Sequence, residues 1–194
     1  ALMLPLVWND YLWRTGLAGS LVSCGSFTLG GWFVYRLACL HYRRKPTAPA
    51  LVYFGAPALA LGVYLLNPTL LYLQATPMTE SLFLATLAGA VYFLRLWAEN
   101  GRAQTLVLAG IFATLTTLAR YEGWALLPFA GVLVLWFSRQ PGWYKIRDGF
   151  LWGIPAACGP LYWFWHNWAI YGRVTEFYSG IYSASGYYAR HSDT

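Results

Sequence analysis

Charge is what this sequence has least of. Only 10 % of its 194 residues are Asp, Glu, Lys or Arg, against about 25 % in an ordinary soluble chain. So few charges do not give a domain of this size a polar coat, and a water-soluble globular fold is excluded. Cysteine is scarce too, with Cys24, Cys39 and Cys158 alone. An odd number without metal-type spacing supports neither a disulfide framework nor a zinc site. No segment recurs at a fixed period, which removes solenoids and paired-repeat transporters. Walker A, HExxH and GxSxG motifs are all missing.

What fills the chain instead is apolar and aromatic. Hydrophobic residues make up 58 % of it, with 11 Trp, 15 Tyr and 11 Phe, which excludes disorder. Uncharged stretches run over 15–35, 46–79, 81–94, 103–119, 123–138 and 149–172. A hydrocarbon core needs about 20 residues of helix, with about 17 as the lower limit. The 46–79 stretch exceeds one span, and Asn67-Pro68 and the Pro77 region break it into a helix to about Leu66 and then a loop. The expectation is an all-α polytopic transmembrane bundle of about six spans: 17–36, 48–66, 81–97, 104–119, 124–138 and 149–171. Residues 1–16 are expected as an interfacial helix, 17–171 as the bundle and 172–194 as an outer loop segment. Gly149 and Gly153 form a GxxxG that would permit close helix packing.

The charges sort by side. Alternate connections carry Arg36, Arg43, Arg44 and Lys45, then Arg95 and Arg102, then Arg139, Lys145 and Arg147, nine of the 13 basic residues. The other side holds Arg14, Arg120, Arg173 and Arg190. Basic residues accumulate on the cytoplasmic side, so the nine mark the inside and both ends of the chain lie outside. The net charge of +6 therefore follows the span ends and does not indicate a nucleic-acid partner. Asp10, Glu80, Glu122, Glu176 and Asp193 fall outside, and Glu99 and Asp148 inside. The opening Ala1-Leu2-Met3-Leu4-Pro5-Leu6-Val7-Trp8 has no basic n-region and no small-residue cleavage site, so it is not read as a signal peptide. It reads as the start of a piece of a longer chain, with at least one span expected before it.

Ionisable residues at membrane level are costly and mark candidate sites. Asp10 and Arg14 lie one helical turn apart in the first outer segment, where a local ion pair worth about 0.3–0.5 kcal/mol is the simpler reading. Asn67 belongs to the proline-rich outer loop that leads to Glu80, and Glu80 opens the next helix, where it either works chemically or complements the helix dipole. Arg120, Tyr121 and Glu122 occupy the turn between two short spans. There Arg120 could fork onto a lipid phosphate or pair with Glu122. Trp163, Phe164, Trp165 and Trp168 could stack on sugar rings, or form an interfacial aromatic belt.

The segments WNDYLWRTGLAGS, NPTLLYLQATPMTES, LARYEGW and YGRVTEFYSGIYSA together resemble the membrane half of the GT-C glycosyltransferase superfamily. The nearest likeness is to the family of the dolichyl-phosphate-mannose protein mannosyltransferases, over essentially the whole chain and in order. The resemblance implies a membrane enzyme that moves a sugar from a polyprenyl-phosphate donor to a protein, lipid or polysaccharide acceptor, with inversion, on the extracytoplasmic face of a prokaryotic cell membrane. It places the family's principal acidic base in the first outer loop shortly after a first span, upstream of residue 1. Asp10 lies in that loop but matches the later WNDYLWR segment, so the role is not carried onto it. Some members use a divalent metal, and no ligand cluster in this sequence calls for one.

The map agrees with such chemistry independently. Glycosyl transfer from a lipid phosphate needs a base for the acceptor hydroxyl and positive charge for the leaving phosphate. Glu80 and Asp10 are the candidate catalytic carboxylates, and Arg120, Arg14, Glu122, Asn67 and Tyr121 the candidate substrate-binding residues. The rival classes are a multi-span transporter and a non-catalytic membrane scaffold. Charges gathered at one face, with uncharged span centres, favour an interfacial enzyme over a conduction path.

Overall fold

The computed structural model describes residues 8–43, 49–138 and 142–180. Ala1–Val7 of the interfacial segment, the basic residues Arg44, Lys45, Arg139 and Arg190, Asp193 and the tail beyond 180 lie outside the described residues. Those described are helical throughout, with no strand among them. A short α1 (Asp10–Arg14) leads into α2 (Leu17–Arg43), α3 (Ala50–Leu65), α4 (Pro68–Ala75), α5 (Glu80–Asn100) and α6 (Ala103–Ala119). A 3-10 turn over Tyr121–Ala125 then feeds α7 (Leu126–Phe137), α8 (Trp143–Tyr171) and α9 (Glu176–Ser179).

Most expected helix positions hold, but α8 starts at Trp143 instead of 149, Glu176–Ser179 in the expected outer loop is helical, and two further differences concern α4 and α2. The region after Leu66 is a helix, not a loop: Asn67 accepts hydrogen bonds at its side-chain oxygen from the Thr69 and Leu70 N–H groups, and Pro68 sits in the first turn. Asn-Pro thus ends α3 and at the same place starts α4, because proline without an N–H suits a helix's first position. The two helices meet at a 57° bend. In addition, α2 continues past residue 36 to Arg43.

By length and apolar character, α2 and α5 can each cross a membrane, and α3 with α4 makes a third crossing if the bent pair counts as one. The expected six spans are therefore matched in two to three cases. The 17 residues of α6 and 12 of α7 are short, and α8 begins with Lys145, Arg147 and Asp148 and carries Pro155 and Pro160 inside.

Packing runs in sequence: α3 lies on α2, α2 on α5, α5 on α6, α6 on α8 and α8 on α7. Between α5 and α6 the connection is only Gly101-Arg102, where Gly101 closes α5 at φ +66° and donates its N–H to Trp97 O at 2.8 Å. A left-handed residue there reverses the chain at no steric cost to glycine.

The interior mixes small and hydroxylated residues with a few large ones, among them Phe33, Tyr92, Trp97 and Trp152. Ala85, Ala90, Ala109, Ala113, Ala130 and Ala156 are buried, with Ser23, Ser81, Thr86, Thr116 and Thr117. The large side chains of Phe54, Leu59, Phe129, Trp136, Ile154 and Leu161 are exposed. A soluble protein has the opposite distribution; helices packed in lipid bring small residues together so that backbones approach closely. The closest approach is between α6 and α8. A Cβ on Gly110 would lie 2.8 Å from Trp152 O, and one on Gly159 would meet Thr117 Oγ1 and lie 3.1 Å from Thr114 O. Thr114 Oγ1 also donates to Pro155 O across this seam. The expected GxxxG is not the seam: a Cβ on Gly153 would meet nothing within 4 Å, and one on Gly149 only Leu135 Cδ2 at 3.5 Å.

A candidate site around Arg120

The helices carry charges at two ends. One end, here the acidic end, holds the starts of α2 and α5 and the finish of α6 and α8. Ser20 and Ser23 of α2 donate from their Oγ atoms to Ala75 O (3.1 Å) and Met78 O (2.9 Å). These bonds tie the α4–α5 connection to α2 and fix where α5 begins. Glu80 is the first residue of α5, where its carboxylate faces the positive end of the helix dipole.

Arg120 follows the last residue of α6 and takes an extended backbone conformation there. It donates from Nη1 to Glu80 Oε1 at 2.5 Å. Its other edge is filled by Glu122, whose Oε1 accepts from Nη2 at 2.7 Å and from Nε at 3.2 Å. One guanidinium therefore bridges two carboxylates, one on a helix 40 residues away and one in its own turn. The Arg120 bonds hold the Glu122 carboxyl below its ordinary range, aided by the backbone N–H of Glu122 itself. Glu122, foremost, raises Arg120 in turn, so both stay charged at neutral pH. The turn is tight because Gly123 fits where a Cβ would lie 2.8 Å from Thr116 O.

Beside this cluster lies an aromatic group. Tyr121 stacks on Phe177 with centroids 5.3 Å apart and 21° between planes, and lies 5.5 Å from Trp163. Trp124 meets Phe164 edge-on at 5.5 Å and also contacts Phe177. Burial raises the Tyr121 phenol above its usual range. Buried polar atoms without a hydrogen-bond partner among the described residues include Ser81 Oγ, Trp124 Nε1, Trp163 Nε1, His166 Nδ1 and Tyr64 OH. All of these lie on the acidic half of their helices, and buried polar groups of this kind are ordinarily satisfied by ordered water or a ligand.

The sequence candidates divide accordingly. Glu80, Arg120, Glu122 and Tyr121 come together. Among the described residues, Asp10 and Arg14 pair with each other, at 3.3 Å, with side chains 84 % and 78 % exposed. The Asn67 side-chain oxygen is engaged in capping α4. Sequence reasoning did not single out Ser81, His166 or Phe177 as site residues. Phe177 was readable only as one more aromatic of the closing segment, since its partners Tyr121 and Trp124 lie more than 50 residues earlier. Among the described residues, no three His, Cys, Asp or Glu side chains gather as a metal would need.

At the basic end one carboxylate is closed in. Asp148 is buried and accepts from Ser138 Oγ at 2.8 Å and from Arg147 Nη2 at 2.9 Å. Arg36 donates to Tyr92 OH at 3.3 Å and lies over the Trp32 ring, 5.5 Å from its centroid. Arg95 pairs with Glu99 at 3.2 Å, one turn along α5. No family model, curated protein or solved structure matches the chain.

Proposed function

We propose that this chain is the membrane part of a glycosyltransferase that takes a sugar from a polyprenyl-phosphate donor and passes it to an acceptor hydroxyl, the acidic end being its working face. The observation that carries this reading is Arg120, a guanidinium at the end of an apolar helix, steadied by Glu80 from a neighbouring helix and followed in the chain by Tyr121, which opens an aromatic group. Forked cations of this kind suit phosphate. Such aromatics suit the apolar face of a sugar ring. The resemblance of the LARYEGW and NPTLLYLQATPMTES segments to the GT-C superfamily points the same way.

In this reading a carboxylate base takes the acceptor's proton, and the acceptor oxygen bonds to the anomeric carbon as the carbon–oxygen bond to phosphate breaks. The electron pair leaves on the phosphate. Its charge rises as the bond breaks, and Arg120 meets that added charge. Since Glu80 is already committed to Arg120, its part is to position the guanidinium.

The fold belonging to this proposal has six crossings in a prokaryotic cell membrane, with the acidic end outside. At about 1.5 Å per residue, the 17 residues of α6 extend about 26 Å, close to a hydrocarbon core of about 30 Å. The 29 residues of α8 suffice even with its polar first turns in the headgroups. Sidedness is supported by the nine basic residues at the opposite connections. Impermeant thiol labelling of intact cells, in a cysteine-free background, is expected to reach a cysteine placed at 72 and not one at 145.

The activity test is transfer from a synthetic polyprenyl-phosphate sugar by the purified full chain. Arg120→Ala is expected to cost roughly 10²–10³ in turnover, the scale of losing one charge-stabilising donor. Arg120→Lys, which keeps the charge and loses the fork, should fall between. Full turnover by a folded Arg120→Ala protein would remove the proposal.

A further inference from the structure

The two carboxylates on Arg120 are not equivalent. Glu80 comes from another helix, is two-thirds buried, and takes the single terminal nitrogen Nη1. Glu122 comes from the same turn, has a side chain 61 % exposed, and occupies the Nε–Nη2 edge. That edge is the one a phosphate takes when it binds arginine side-on through two parallel hydrogen bonds. A phosphate and the Glu122 carboxylate therefore compete for the same two N–H groups. We propose that Glu122 is a place-holder for the phosphate: it fills the Nε–Nη2 edge of Arg120 in the empty site and is displaced when a lipid phosphate arrives, while Glu80 keeps its hold on Nη1 and fixes the guanidinium.

Magnitudes favour this division. An exposed ion pair such as Arg120–Glu122 is weak, so a better anion displaces it readily. Displacing Glu122 costs any phosphate the same factor, so the carboxylate lowers the affinity of the site without changing which phosphate it prefers. A carboxylate in this position also protects Arg120 from weakly held anions when no donor is present.

This inference rests on the assignment of Arg120 to the donor phosphate, and the experiment separates the two. Calorimetric titration of the purified full chain in detergent with decaprenyl phosphate gives the affinity, and inorganic phosphate is titrated in a parallel arm. Removing the competitor in Glu122→Gln is expected to tighten decaprenyl phosphate by roughly 2- to 5-fold, the equivalent of the pair's own strength. Glu80→Gln, which frees the guanidinium from its support, is expected to weaken it. Opposite signs from two carboxylates on one arginine are not produced by a purely structural cluster, where both losses would only lower thermal stability. In an Arg120→Lys background the gain from Glu122→Gln should shrink, because the side-on edge is gone. Arg120-dependent binding with unchanged or weaker affinity in Glu122→Gln would overturn the place-holder. Binding that is indifferent to Arg120→Lys and Arg120→Ala would overturn the phosphate assignment beneath it. If inorganic phosphate shows the same gain at the same affinity, the headgroup alone is the ligand and the lipid chain adds nothing.

Discussion

The acidic and basic ends of this bundle use the same chemical parts, an arginine against a carboxylate, in two different ways. At the basic end the carboxylate is the buried partner: Asp148 is 5 % exposed, its oxygens taken by Ser138 and Arg147. The cluster joins the end of α7 to the start of α8 and satisfies that buried carboxylate, while Arg147 itself stays 42 % exposed. At the acidic end the cation is the shared partner, one-third exposed, held by one carboxylate from afar and one from its own turn. Orphaned hydrogen-bonding atoms collect on that same half. A closed cluster fastens helices, while an open one with a replaceable partner is suited to binding.

The largest expected effect separates the ends by readout. Glu80→Gln should lower turnover by roughly 10²-fold, the cost of misplacing a group by about 1 Å, with Glu80→Asp recovering part of it. Asp148→Asn should leave turnover near wild type. A turnover loss at Asp148 as large as that at Glu80 would end the distinction.

Stability should show the reverse order. Truncating Asp148 to Ala leaves the buried Ser138 hydroxyl without its acceptor, costing about 1–3 kcal/mol. For a chain of this size that is roughly 2–4 °C in Tm for each kcal/mol. Thermal unfolding in detergent measures it, and an unchanged Tm would reduce the basic-end cluster to a surface feature.

A mid-bundle control sharpens the packing account. Gly159→Leu, which drives a side chain into Thr117 and Thr114, should destabilise by at least about 1–3 kcal/mol. Gly153→Leu, which faces open space, should be close to neutral. Equal effects at the two glycines would mean that α8 packs by its GxxxG after all.

Acid titration gives a smaller effect with a definite sign. Arg120 lowers the Glu122 carboxyl below the ordinary value of about 4.3. Whatever the pair contributes is fully present above that ordinary value and is lost as pH falls through the lowered one. The carbon-13 signal of the Glu122 carboxylate should titrate below the ordinary carboxylate value and return toward it in Arg120→Ala. Smallest of all is Asp10→Ala. With both partners of its pair exposed, it should change stability and turnover by amounts near the limit of measurement.

Much of the helical plan was legible because each boundary has a local cause. Gly101 reverses the chain, Arg120 to Gly123 makes a turn, and uncharged runs lie between. Asn67-Pro68 was read correctly as a break and missed as a beginning, since the same two residues end one helix and cap the next. The Arg120–Glu122 pair was visible in sequence as a contact two residues apart. Its Glu80 partner in that ion pair was not, because the contact depends on how α5 packs on α6. Phe177 over Tyr121 was hidden for the same reason. Local chemistry can be read along a chain, whereas the tertiary packing that brings one helix's carboxylate to another's arginine has no signal at either residue.

The central claim is that the open cluster at Arg120 receives a phosphate. Phosphorus-31 NMR of decaprenyl phosphate in detergent, titrated with the purified full chain, tests it without relying on catalysis. The account predicts a shifted and broadened phosphorus signal with the wild-type protein and with Asp148→Asn, and a signal at the free position with Arg120→Ala. A shift that persists undiminished in a folded Arg120→Ala protein, or one abolished only by changes at the basic end, would contradict it.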